Sequence, residues 1–324
     1  MAPLVTSQNW IYQPSATSNR LNDVSFANSS TGWAVGVANT VIRTDDGALS
    51  WYQQQTGLPN NLTWTTVSFA SARVGWIASL EGHIAKSGDG GSTWALQQGG
   101  SSSDPLMQLL ALSEATALAV GYNGTVLRTD DGGVNWRDLA KPTTHNLHGL
   151  AFPSADDGWV VGEHGTIFRT LDGGQNWTLQ LSDIRFTGAL LAVDMATLPG
   201  GFFYGWAAGT GGVVLHTLDG STWFSQGGCG NASHTHYDLV TYGPATYIVG
   251  QVGICYIMDG GSIFTIEEAP NSTEALFGAG WLDAPGNDLI AVGDSGQILT
   301  YMYVSSPPYS PEPLSWDHSS IAPW

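Results

Sequence analysis

Short apolar runs that close on a small residue recur along the chain. They read Trp33-Ala-Val-Gly36, Trp76-Ile-Ala-Ser79, Leu118-Ala-Val-Gly121, Trp159-Val-Val-Gly162, Trp206-Ala-Ala-Gly209, Tyr247-Ile-Val-Gly250 and Ile290-Ala-Val-Gly293. About a dozen residues after each of the first six comes a polar box: TDDGALSW at 44–51, SGDGGSTW at 87–94, TDDGGVNW at 129–136, TLDGGQNW at 170–177, TLDGSTW at 217–223 and IMDGGSIF at 257–264. The box aspartates Asp46, Asp89, Asp131, Asp172, Asp219 and Asp259 follow one another at intervals of 40 to 47 residues. A period of this length predicts one small β-sheet per unit, arranged in a ring or a stack. The seventh apolar run has no box after it, so the count is seven units.

Turn residues cut each unit into four short strands. In the fourth unit these are predicted at 147–152, 158–162, 166–170 and from Trp177, with Glu163-His164-Gly165 as a hairpin and the box as the next turn. Four strands at this period make a propeller blade, so the fold class is all-β, a seven-bladed β-propeller with four-stranded blades. The seventh unit runs into proline-rich sequence before a fourth strand. The missing strand is expected from the N-terminus, because Gln8-Asn9-Trp10-Ile11-Tyr12-Gln13 repeats the pattern of Asn176-Trp177-Thr178-Leu179-Gln180. One propeller is therefore expected over 1–304, with 8–14 completing blade seven and 305–324 as a Pro-rich tail.

The pattern Ser/Thr-x-Asp-x-Gly-x-x-Trp resembles the Asp-box, or BNR, repeat of sialidases, xyloglucanases, sortilin-type receptors and the photosystem II assembly and stability factor family. Seven units with a Gly-Trp-Ala-Val-Gly second strand and an Arg-Thr-x-Asp-Gly-Gly-x-x-Trp hairpin look most like the last of these. That resemblance implies the fold throughout, a partner role in photosystem assembly, and a basic patch for partners. Only Arg43, Lys86, Arg128 and Arg169 fall at the matching hairpins. The boxes themselves read as scaffold: the aspartate accepts N–H bonds of its own turn, the glycines supply positive φ and the tryptophan packs between sheets.

Nine basic against 27 acidic residues give a net charge of −18, which opposes binding to nucleic acid or an anionic membrane. No apolar run is long enough to span a membrane, and the first ten residues lack the pattern of a signal peptide. Asn-x-Ser/Thr acceptors at Asn28, Asn61, Asn123, Asn231 and Asn271 favour a secreted glycoprotein; Asn176 lies inside a box, where a glycan fits poorly. Cys229 and Cys255 fall near one end of the sixth blade, so a disulfide is expected between them. Secretion is thus the expected localisation, with the thylakoid lumen as the alternative that the resemblance implies. Trp316, Ile321 and Trp324 give the tail apolar anchors, which suggests a homo-oligomer contact.

The boxes share one face, so chemistry is expected on the other, where the second hairpin turns and the starts of the first strands meet. The turns carry Glu81, Tyr122, Glu163, His164 and Asp294; the strand starts carry Asn22, Asp23, Gln108, His148 and Asp238. His236 joins the candidate ligand-binding set of Asn22, Gln108, Tyr122, His148 and His164. A sialidase needs converging arginines, but Arg43, Arg128 and Arg169 occupy one repeat position each. An inverting glycosidase could draw two carboxylates from Glu81, Glu163, Asp238 or Asp294. His145-x-x-His148, His164 and His234-x-His236 match no strong metal motif, so no metal and no cofactor are assigned. The expected function is a non-catalytic, secreted, glycosylated propeller that binds proteins or glycans or builds an extracellular assembly. The alternatives are a glycoside hydrolase or lectin acting on a polysaccharide, and a photosystem II assembly-type factor.

Overall fold

The computed structural model describes residues 9–97, 100, 103–180, 188–197, 203–226, 234–242, 245–251, 253–258, 263–267, 274–282 and 288–302. Seven four-stranded antiparallel sheets form the blades of a propeller, each meandering in sequence order except the last. Blade one is Leu21–Phe26, Gly32–Gly36, Val41–Thr44 and Tyr52–Gln53. Blade four is Leu147–Ala151, Gly158–Gly162, Ile167–Thr170 and Thr178–Leu179, close to the strands expected there. In blade seven the N-terminal strand Asn9–Tyr12 pairs with Ile298–Met302, Trp10 opposite Tyr301 and Ile11 opposite Thr300, which closes the ring.

Second strands such as Gly32–Gly36 and Gly158–Gly162 are buried at every position. They are sandwiched between neighbouring blades, which is why they read as unbroken apolar runs. Trp33, Trp76, Trp159 and Trp206 are fully buried on them, and Trp33 stacks on Phe69 of the next blade with ring centroids 3.4 Å apart.

Each box is a self-contained turn. In the third, the Asp131 carboxylate accepts the Asn135 N–H at 2.9 Å, the Asn135 side-chain amide at 2.7 Å and the Thr129 hydroxyl at 2.9 Å. These donors hold Asp131 down at about 2, well below an ordinary aspartate. Asp46, Asp89, Asp172 and Asp219 accept the same kind of bonds from their own turns. The Asp259 box lies outside the described residues. The four hairpin cations reach across to the next box: Arg43 donates to Gly90 O, Lys86 to Gly132 O and Arg128 to Gly173 O, each within 2.7 Å, and Arg169 to Ser221 Oγ at 3.2 Å. Arg43, Lys86 and Arg169 also lie over the rings of Trp33, Trp76 and Trp159. They hold adjacent blades together on the box face and do not converge on one point.

A second set of side chains links the blades around the axis. Asp23 accepts the Val67 N–H at 2.8 Å, Thr66 that of Leu109 at 3.2 Å, Gln108 that of Leu150 at 2.7 Å and Asp238 that of Ala279 at 2.8 Å. At the position two residues further along a first strand, Ser25, Ser68 and, in blade five, Asp194 accept from Phe69, Ala111 and Thr241. First strands of neighbouring blades do not pair as a sheet, so their inward edge N–H groups need acceptors. These side chains supply them. Between blades seven and one the corresponding position is Gly278, where a Cβ would come within 2.7 Å of the Asp23 Cα. Glycine there lets the two backbones touch.

Candidate functional site

Every first strand carries a register shift at the same place. It falls between Leu21 and Asp23, Trp64 and Thr66, Leu106 and Gln108, Leu147 and Gly149, Leu190 and Ala192, His236 and Asp238, and Leu276 and Gly278. A β-bulge inserts one residue and re-aims its side chain. The seven inserted residues are Asn22, Thr65, Met107, His148, Leu191, Tyr237 and Phe277, and all seven line one cavity of about 250 Å³. Arg20, Asp23, Thr63, Thr66, Leu80, Gln108 and Asp238 complete its wall.

The wall is chemically sided. Arg20 sits 4.9 Å from the Phe277 ring centroid and donates to Asn22 Oδ1 at 2.9 Å, while Phe277 packs on Tyr237 at 4.7 Å. Two carboxyl groups, Asp23 and Asp238, also line the wall. Burial pushes Asp23 up to about 6, and pushes Asp238 well above its ordinary range with the nearby Asp23 and Asp194 charges adding to it. Burial likewise raises Asp194 to about 6. His148 is pushed down by burial, against the opposing pull of Glu163, and its Nδ1 is buried with no hydrogen-bond partner.

Five strand-start candidates, Asn22, Asp23, Gln108, His148 and Asp238, thus come together on the expected face. The turn candidates do not join them. Glu81 accepts the Thr63 N–H at 3.0 Å, Glu163 the Asn146 N–H at 3.3 Å and Asp294 the Ala275 N–H at 3.4 Å, each clamping the start of its own blade. Tyr122 lies edge-on to His148 with centroids 6.3 Å apart. His236 is 3% exposed, inside the blade and not on the ring. His164 stands on the turn beside His145, ring centroids 4.4 Å apart.

The apolar members Met107, Leu191, Tyr237 and Phe277 escape a search for polar positions. The signal that finds them is positional: each follows directly on the first residue of a first strand.

Of the glycosylation acceptors, Asn28 and Asn61 are exposed on turns, while the Asn123 amide nitrogen donates to Asp104 at 2.9 Å. Asn231 and Asn271 lie outside the described residues. Cys255 is buried in the strand Gly253–Met258, and Cys229 lies outside the described residues, as does the tail 305–324. No helix among the described residues is long and apolar enough to cross a membrane.

The family model described as photosynthesis system II assembly factor YCF48 matches residues 2–144 and 134–228. The chain belongs to the YCF48 family. Two YCF48 structures share its fold. One, YCF48 bound to D1 peptide, is 20% identical with a TM-score of 0.73, over 93% of this chain and 96% of that one. The other, YCF48 from Cyanidioschyzon merolae, is 17% identical with a TM-score of 0.71, over 91% of this chain and 99% of that one. The WD40 β-propeller domain of Doa1 superposes as well, TM-score 0.71, at only 9% identity, over 91% of this chain and 97% of that one. Architecture alone therefore does not distinguish functions among these propellers. No curated protein matches the chain in sequence.

Proposed function

We propose that this chain is a non-catalytic, protein-binding propeller of the assembly-factor kind, gripping an extended peptide segment of its partner across the ring of bulge residues. The observation that carries the reading is the convergence of all seven bulge side chains on one cavity. A volume of about 250 Å³ lies below the roughly 300–1,000 Å³ typical of small-molecule sites. It suits one or two side chains of a longer ligand. Tyr237, Phe277, Met107 and Leu191 offer apolar contact. The carboxylates at Glu81, Glu163, Asp238 and Asp294 each accept a backbone N–H, which fits scaffolding better than acid–base catalysis.

Membership of the YCF48 family, and a YCF48 structure bound to D1 peptide, make photosystem II assembly in the thylakoid lumen the favoured setting and D1 the first partner to try. The test is fluorescence anisotropy with a labelled D1 peptide. Tyr237→Ala and Met107→Asp are expected to weaken binding at least tenfold, while Leu171→Asp on the box face leaves it unchanged. Equal affinity in all three variants, or loss only in Leu171→Asp, would overturn the reading.

A secreted glycoprotein is the second reading, favoured by the exposed acceptors Asn28 and Asn61. It carries with it the proposed Cys229–Cys255 bridge. Intact mass of the protein from its native source, before and after deglycosylation, separates the two: a mass loss supports secretion and its absence supports the lumen.

A further inference from the structure

We propose that His145, Glu163 and His164 form a binding site for a divalent transition-metal cation of the zinc and copper class. The three residues come from two turns of blade four, and their ligand atoms all lie within 4.8 Å of one another. Two imidazoles and one carboxylate are a donor set that suits these cations and leaves a coordination position open. A tetrahedral ion with ~2.0–2.1 Å bonds needs donor atoms roughly 3.3 Å apart, so the side chains must close by an ångström or so. His145 and His164 are exposed and can swing; Glu163 is partly buried and already aimed.

Its aim is fixed from behind. Glu163 Oε1 accepts the Asn146 side-chain amide at 2.9 Å and Oε2 the Asn146 N–H at 3.3 Å. Outer partners of this kind orient a ligating carboxylate. The backbone adds a second observation. His164 sits at φ 57, where the matching hairpins hold Asn123 at 55, Gly211 at 70 and Ser295 at 56. Histidine, like asparagine, is among the residues enriched in that left-handed conformation, so the turn accepts His164 there. A histidine there turns its ring towards His145, 4.4 Å away at 61°. The other three histidines of the sequence pattern do not take part, since His148 lines the cavity, His236 is buried and His234 lies just ahead of the first strand of blade six.

The test is calorimetric titration of the full chain with zinc chloride, repeated on three variants. Wild type is expected to bind one Zn²⁺ saturably. His164→Asn, which borrows the residue that the third hairpin carries, and His145→Ala are expected to weaken binding at least tenfold while melting like wild type. His83→Ala, an exposed histidine in another blade, is expected to change nothing. The proposal is overturned if wild type shows no saturable binding, if His164→Asn and His145→Ala bind like wild type, or if His83→Ala weakens binding as much as they do.

Discussion

Deleting residues 1–13 is expected to abolish the cooperative fold of blade seven and to leave a protein that aggregates, or that melts at least ~10 °C below the full chain. The N-terminal strand is the fourth strand of that blade, paired along its length with Ile298–Met302. Trp10 packs on Tyr301 with centroids 4.9 Å apart, and the Gln13 N–H continues the ladder to Ile298 O. Trp10 is partly buried against the core that holds Tyr301 and Leu299, and the deletion also exposes the edge of an apolar strand. The junction between blades seven and one has Gly278 and Gly280 where blades one and two carry the acceptors Asp23 and Ser25, and Thr66 and Ser68. Closure there depends on backbone contact and on the N-terminal strand. Differential scanning calorimetry with gel filtration checks this; a monomer with the full-length melting temperature would contradict it.

Stability is expected to peak near pH 4 and to fall by several kcal/mol towards pH 7. Asp23 and Asp194 have folded-state values raised to about 6, and Asp238 is raised further. The folded protein therefore holds these protons more tightly than the unfolded chain does. Below about pH 4 both states are protonated and nothing is lost; through the window from about 4 to 6 the folded state alone is protonated, and stability declines as pH rises. For Asp23 and Asp194 the difference corresponds to ~3 kcal/mol each. The box carboxylates act in the opposite sense. Asp131, held at about 2, contributes stability that is present above pH 4 and lost as pH falls towards 2. Urea midpoints between pH 3 and 8 give the profile. Asp194→Ser keeps an acceptor, as Ser25 and Ser68 do in blades one and two, but cannot ionise. It is expected to flatten the decline above pH 5. A wild-type profile that rises from pH 5 to 7, or a variant as steep as wild type, would show that these carboxylates are not held protonated.

Seven units, four strands per unit and closure through Trp10 are legible in the sequence because each rests on a repeated local pattern: the box, the apolar run, the Asn-Trp pair. The face that carries the cavity is legible for the same reason. Which side chains point into it is not, since that depends on a bulge whose position is set by the ladder between strands and leaves no mark on residue type. Hence Asn22 and His148 were recognisable as polar, and Leu191 and Phe277 were not. Glu163 shows the converse. Its charge marks a candidate catalytic group on the ring, yet it stands off the cavity and is oriented by Asn146, seventeen residues away, a contact fixed by the turn. Arg43, Arg128 and Arg169 read correctly as repeat features, because a site would have broken their periodicity.

The central claim, that the bulge ring is the partner-binding surface, is tested most directly by amide hydrogen exchange of the chain with and without saturating peptide. Protection is expected over 20–24, 63–66, 106–109, 147–150 and 236–239, with no change over the boxes at 44–51, 129–136 and 170–177. Protection confined to the boxes or to the outer strands would contradict it.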